Sequence, residues 1–316
     1  MNVILDYLID SLAFGATFMY GSVGEILTEK SGHLNLGIPG IMCMGGAGGC
    51  MMLNLIGKSN LPGFLIVILG ILSSMCVAML MGLIYSFLTV SLRANQNVTG
   101  LALTTFGVGL MKVLMSKLDA TVYLVGPKAL YRWPFSGRQD SLQYLGVMFF
   151  LAIIIAIVAS YVLFRTKVGL HLRAVGENPA TADAVGINVT RYKYLATVIG
   201  SGISGLGGFY YIIDYMASQE AYLSLESYGW LSIALVIFAL WRPHMTIIGS
   251  TVFGFLFSCS SFIASIGISV SMAAKPLLKM LPYVVTIFVL IFSSIRNKRE
   301  NQPPQHLGLP YFREER

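Results

Sequence analysis

Four histidines and four cysteines are the side chains best equipped for acid–base, nucleophilic or metal chemistry in this chain, and their spacing supports none of the three. His33, His171, His244 and His306 stand far apart and fall mostly at predicted loops or tails, where a surface histidine outnumbers a catalytic base. Cys43, Cys50, Cys76 and Cys259 are scattered in apolar surroundings without paired ligand spacing, so all four read as small buried residues and neither a zinc site nor a disulfide framework is expected. The sequence has no Gly-x-x-x-x-Gly-Lys-Ser/Thr loop for a triphosphate, no His-Glu-x-x-His for zinc and no Gly-x-Ser-x-Gly elbow. Mid-span positions are almost free of Asp, Glu, Lys and Arg, which an intramembrane enzyme would need.

What remains are uncharged polar residues, glycines and one polar stretch. Thr17, Asn54, Asn97, Thr99, Thr104, Thr105, Ser201 and Ser204 lie in apolar runs. They can bond between helices, or bind hydroxyls and heterocycle edges without burying a charge; together they favour a neutral polar solute over an ion. Gly45 to Gly49 and Gly200 to Gly208 place small residues at helical spacing, either for close helix packing or where helices rock. Pro39-Gly40 near the start of the second run is either a kink or a break that frees backbone groups beside a solute.

The polar stretch, Arg165 to Lys193, contains Glu177, Asn178, Pro179, Ala180, Thr181, Ala182, Asp183, Ala184, Val185 and Gly186. Asn178 suits the N-cap, Pro179 the first helical position and Gly186 the stop, which predicts a helix of about two turns for a partner to grip.

The elements that must position these residues are membrane helices. With 56% hydrophobic and 11% charged residues and a mean hydropathy of +0.74, the 316-residue chain cannot hide its apolar side chains in a soluble core. The expected fold is all-α and polytopic, with about nine transmembrane helices (eight to ten). The predicted spans are Tyr7 to Leu27, Leu34 to Ile56, Leu61 to Val90, Val98 to Met115, Leu142 to Phe164, Tyr194 to Ile213, a short Tyr228 to Trp241, Met245 to Ala264 and Leu281 to Ile295. Residues 1–295 form the membrane domain, with a cytoplasmic loop at 165–193, and 296–316 a cytoplasmic tail. Basic loop residues set the orientation. Arg165, Lys167, Arg173, Arg191 and Lys193, and in the tail Arg296, Lys298, Arg299, Arg313 and Arg316, belong inside; Asp214, Glu220 and Glu226 belong outside. Alternation then puts the N-terminus outside and Lys30, Arg93 and Arg242 inside, with Lys275 and Lys279 as exceptions. The net charge of +7 is mostly this topology signal plus attraction to anionic lipids, not nucleic-acid binding. Met1 to Asp6 lacks a basic region and a cleavage site, so the first span is expected to be retained.

Three stretches give the chain a family resemblance. Gly24-Glu25-Ile26-Leu27-Thr28-Glu29-Lys30-Ser31-Gly32-His33-Leu34-Asn35-Leu36-Gly37, Gly169 to Ala180 continuing to Val189, and Tyr228 to Pro243 with Gly249 to Phe255 resemble the permease subunits of bacterial ABC importers, in the branch serving simple sugars and nucleosides. The tail Leu307 to Arg316 looks like nucleoside-type endings. The resemblance implies half of a transmembrane pathway in the bacterial cytoplasmic membrane, paired with a second homologous permease, a cytoplasmic ABC ATPase and an external solute-binding protein. It implies that the 177–186 segment docks on the ATPase, which holds ATP and Mg, and that this chain binds no cofactor or metal and is not an enzyme. A substrate path through Asn35, Pro39, Asn97, Thr104, Thr105, Ser201 and Ser204 is expected. The family commonly has an acidic residue at Pro39 and an amide at Thr104. Nucleosides are the expected solute; the alternatives are simple sugars such as ribose or galactose, branched-chain amino acids and, from another class, a multipass membrane enzyme or receptor.

Overall fold

A computed structural model describes residues 3–57, 59, 61–119, 121–123, 145–266, 271, 274–296 and 302–312. These residues are helical, with no strand among them. The long helices are α1 (Val3–Glu29), α2 (Ile38–Ile56), α3 (Gly63–Ser86, continued by a π-helical turn Phe87–Ser91), α4 (Gln96–Met115) and α5 (Val147–Arg165). Two short helices follow, α6 (Lys167–Glu177) and α7 (Pro179–Ala184). Then come α8 (Val189–Phe209, continued by π-helical Tyr210–Met216), a 3-10 helix Gln219–Ser224 leading into α9 (Leu225–Phe238), α10 (Met245–Ser265), α11 (Ala274–Lys279) and α12 (Leu281–Arg296).

Each predicted span meets one long helix. Among the described residues, seven helical segments are long and apolar enough to cross a membrane, and Met245–Cys259 is a shorter apolar helix. α1 is not among the seven; its 27 residues include Asp6, Asp10, Glu25 and Glu29. The predicted start at Leu142 lies outside the described residues, as do Lys298, Arg299, Arg313 and Arg316. The span predicted as short, Tyr228 to Trp241, is extended at its start by the 3-10 helix, so that Gln219–Phe238 is 20 residues long.

Burial separates centre from rim. In α2 and in Val189–Met216, 78% and 83% of the most apolar window is buried, against 28% for Gly63–Ser91 and 11% for Ala274–Phe292. α8 packs on α1, α2 and α3, and α2 also on α4 and α9. Glycine makes those crossings possible. A Cβ on Gly208 would collide with the Met42 carbonyl oxygen, one on Gly45 with Gly205 Cα, and one on Gly24 with the Gly200 carbonyl oxygen. The two glycine clusters are therefore contact surfaces between α1, α2 and α8.

The polar helix ends gather into two groups. Glu29, the α3–α4 turn, the 165–193 segment, Trp241 and tail residues 302–312 meet at one end. At the other, Tyr215 donates to Asp10 at 2.7 Å and Lys279 Nζ lies 5.5 Å from the centroid of the Phe257 ring. Cys43 and Cys50 are buried as expected, whereas Cys259 is half-buried and Cys76 is exposed on the outward face of rim helix α3.

Candidate functional site: the polar end of the bundle

After α5 ends, Thr166 caps α6 by accepting from the Gly169 amide at 3.2 Å. α6 buries Leu172, Val175 and Gly176 and gives way at Asn178 to α7. Asn178 Oδ1 accepts from the Thr181 amide at 3.0 Å, Pro179 opens the helix, and Gly186 at φ +87° closes it in the left-handed conformation glycine tolerates. Pro179 and Ala182 are buried, Ala182 in a small cluster with Val175 and Val189. Asn178, Ala180, Thr181, Ala184, Val185 and Gly186 are exposed, while Glu177 and Asp183 are half-buried. Asp183 accepts from the Tyr311 hydroxyl at 3.0 Å, which ties α7 to the tail. The outward face is small and largely uncharged, a shape able to enter a cleft on another protein.

Beside α7 lies a buried polar hub built on the α1–α2 connector. Glu25 accepts from the Asn35 amide at 3.1 Å, and Glu29 accepts from the indole N–H of Trp241. The Leu34 amide donates to Gln96 Oε1 at 2.8 Å, and the Tyr85 hydroxyl donates to the Leu34 carbonyl at 2.7 Å. His33 Nδ1 meets Thr197 Oγ1 at 3.2 Å. The tail closes the hub, with the His306 amide donating to the Gly176 carbonyl at 3.1 Å and the Gly308 amide to the Gly32 carbonyl at 3.2 Å. Burial pushes Lys30 down to about 8, against the pull of Glu177 and Glu29, and pushes His33 well below the ordinary imidazole value, helped by Lys193 and His306. Histidine at a loop thus proves a buried connector residue in His33, 1% exposed.

The residues expected along a solute path do not gather at one place. Asn35 and Thr104 meet at the connector: Asn35 Oδ1 accepts from the Gly37 amide at 2.9 Å, and Thr104 donates to the Leu36 carbonyl at 2.8 Å. Pro39 sits in the first turn of α2, so the Pro-Gly pair starts that helix instead of breaking it, and it packs against Gly229. Ser204 donates to the Gly21 carbonyl at 3.2 Å, and Ser201 is buried beside Gly82. Asn97 and Thr105 are exposed on α4. Glu25, Tyr85, Gln96 and Trp241 were not singled out by sequence reasoning; only Glu25, inside a predicted span, carried a signal, the cost of a buried carboxylate.

The family described as "Branched-chain amino acid transport system / permease component" matches residues 7–290. The chain belongs to this permease family. The permease is 31% identical over 303 residues to a Haloferax volcanii chain provisionally named a glucose ABC transporter permease protein, TsgC13, covering 89% of each. It is 30% identical over 298 residues to the nucleoside ABC transporter permease protein NupC of Lactococcus lactis, covering 92% of each. It is 29% identical to the guanosine ABC transporter permease protein NupQ of Bacillus subtilis, covering 97% of this chain and 96% of that one. The permease is thus a membrane-embedded transport subunit, and its polar end combines an exposed six-residue helix with a buried hub that ties α1, α2, α3, α4, α8 and the tail together.

Proposed function

We propose that this permease forms half of the membrane pathway of an ATP-driven importer of nucleosides. Solute delivered by an external binding protein passes along a seam with a second, homologous permease. A cytoplasmic ABC ATPase grips α7. ATP and Mg are held by that ATPase, and this chain, which is not itself an enzyme, binds no cofactor. The polar end faces the cytoplasm and the N-terminus the outside, in the cytoplasmic membrane of a bacterium. Asn35, Pro39, Asn97, Thr104, Thr105, Ser201 and Ser204 contribute to the path, Asn97 and Thr105 from the open face of α4.

The observation that carries this reading is α7 itself, a capped six-residue helix whose exposed side is Ala180, Thr181 and Ala184, set among basic residues at one end of a permease bundle. A membrane protein spends surface on such a helix when something soluble must hold it. Two relatives named for nucleoside and guanosine transport support the solute. Glucose is the second reading, favoured by the relative named for it.

The test is uptake of radiolabelled guanosine, uridine and glucose by otherwise identical cells with and without this chain. Loss of nucleoside uptake is expected on deletion, restored by the cloned chain. Unchanged nucleoside uptake with glucose uptake lost would replace the solute, and no change in any of them would remove the importer reading.

A further inference from the structure

The polar end holds a cavity of about 600 Å³. It lies between the α3–α4 turn, the start of α8 and the tail, with Arg93, Gln96, Arg191, Lys193 and Tyr311 on its wall. Lys193 is the unusual member. It is 3% exposed, yet among the described residues nothing accepts a hydrogen bond from it and no carboxylate pairs with it. Its charged neighbours are His33 and His306, groups of the same sign when protonated. A largely buried cationic side chain without a counter-ion is costly, and an anion in the cavity it lines would offset that cost.

The rest of the wall has the same polarity. Val189 and Thr190, in the first turn of the 21-residue α8, line the cavity beside the Asn188 cap, which takes the Arg191 amide at 2.9 Å, so the positive end of a long helix with its earlier amides faces the cavity. Arg191 is exposed at the rim. Arg93 is held in a left-handed conformation at φ +55°, with its guanidinium 4.8 Å from the centroid of the Phe312 ring. Asp183, the single acidic residue among those lining the cavity, already accepts from Tyr311. Three cations and a helix N-terminus against one carboxylate leave the wall net positive and make a site for a group of negative charge with several acceptor oxygens.

We infer that this cavity binds a phosphate group, clamped by Lys193, Arg93 and Arg191 at the α8 N-terminus. The chemistry is shared by a free phosphate from solution and by the headgroup of an anionic phospholipid. Because Asp183, Ile187 and Tyr311 share the wall, an occupant here would bridge the segment carrying α7 to the α3–α4 turn and the tail.

The full-length chain, purified and delipidated in a neutral detergent, tests this by its thermal unfolding midpoint during titration with inorganic phosphate, phosphatidylglycerol or phosphatidylcholine. A saturable rise with inorganic phosphate identifies a free-anion site; a rise with phosphatidylglycerol, absent with phosphatidylcholine and inorganic phosphate, identifies a lipid-headgroup site. In either case Lys193→Met and Arg93→Gln should each weaken the response at least tenfold. Lys112→Met, an exposed lysine near the far end of α4, should leave it unchanged. Arg191→Gln, at the exposed rim, supplies a variant whose folding is not at issue. A response equal in all variants, or no response to any probe, overturns the inference.

Discussion

At the scale of single residues, the polar end is held by carboxylates placed where a bundle ordinarily excludes them. Glu25 is fully buried and its Oε1 is the acceptor for the Asn35 amide, so the α1–α2 connector depends on it. Glu25→Gln keeps an acceptor of the same shape, whereas Glu25→Ala leaves a buried amide unpaired and opens a void. The alanine variant should lose about 2–3 kcal/mol and the glutamine variant about 1 kcal/mol or less. Apparent unfolding midpoints of the purified chains in detergent check the order, and equal losses would show that the contact does not hold the connector. Such contacts were hard to read from sequence because their partners are remote. Glu29 and Trp241 are 212 positions apart, and His33 and Thr197 are 164 apart. Nothing local in either stretch announces the other, and a histidine beside an apolar run is indistinguishable from a solvated one until the fold closes over it.

At the scale of elements, α7 was legible because helix termini are written locally. An amide-bearing cap, a proline at the first position and a glycine in the left-handed stop all lie within nine residues, and the structure uses each in that role. The long helices were legible for a similar reason, since crossing hydrocarbon demands an unbroken apolar run. Other features were set by packing. The 3-10 helix before α9 carries Gln219 and Glu220, so its helicity is invisible to a hydropathy reading. Whether the glycine clusters were contacts or hinges depended on what stood opposite them, which is Met42, Gly24 and Gly45. The outward face of α7 yields a direct expectation. Ala180→Arg or Ala184→Arg leaves Pro179 and Ala182 on their inner contacts, so the permease should insert and melt as before. ATP hydrolysis stimulated by solute in the reconstituted transporter should fall at least tenfold, because a buried unpaired charge in a docking cleft costs several kcal/mol. Undiminished stimulation in both variants would move the docking role to another segment.

At the scale of the whole molecule, the tail works as a latch that joins parts of the chain far apart in sequence. Its His306 amide reaches α6 at Gly176 and its Gly308 amide reaches the connector at Gly32, while Tyr311 holds α7. The latch stands over two histidines, His33 and His306, both shifted below the ordinary imidazole value first by burial and then by the charge of Lys193. The sign of the pH effect follows from that direction. As pH falls through about 6.5, imidazoles of the unfolded chain take up protons that the folded chain refuses, so the unfolded state binds more protons and stability declines. The contribution is complete above the ordinary imidazole value and drains as pH drops toward the folded values. Between about pH 7.5 and pH 5.5 the apparent midpoint should therefore fall, and His33→Gln with His306→Gln should flatten the slope, since neither amide titrates. Other groups persist in the double variant, among them His244, which burial and Arg242 also shift below the ordinary imidazole value, so a slope unchanged by both substitutions would assign the acid sensitivity to those groups. Protection of the Gly308 amide from hydrogen exchange, corrected for the intrinsic rate at each pH, gives the local reading: it should weaken toward acid in the natural chain and hold steady in the double variant, because the latch bond to Gly32 opens when His33 beneath it is forced to accept a proton beside Lys193.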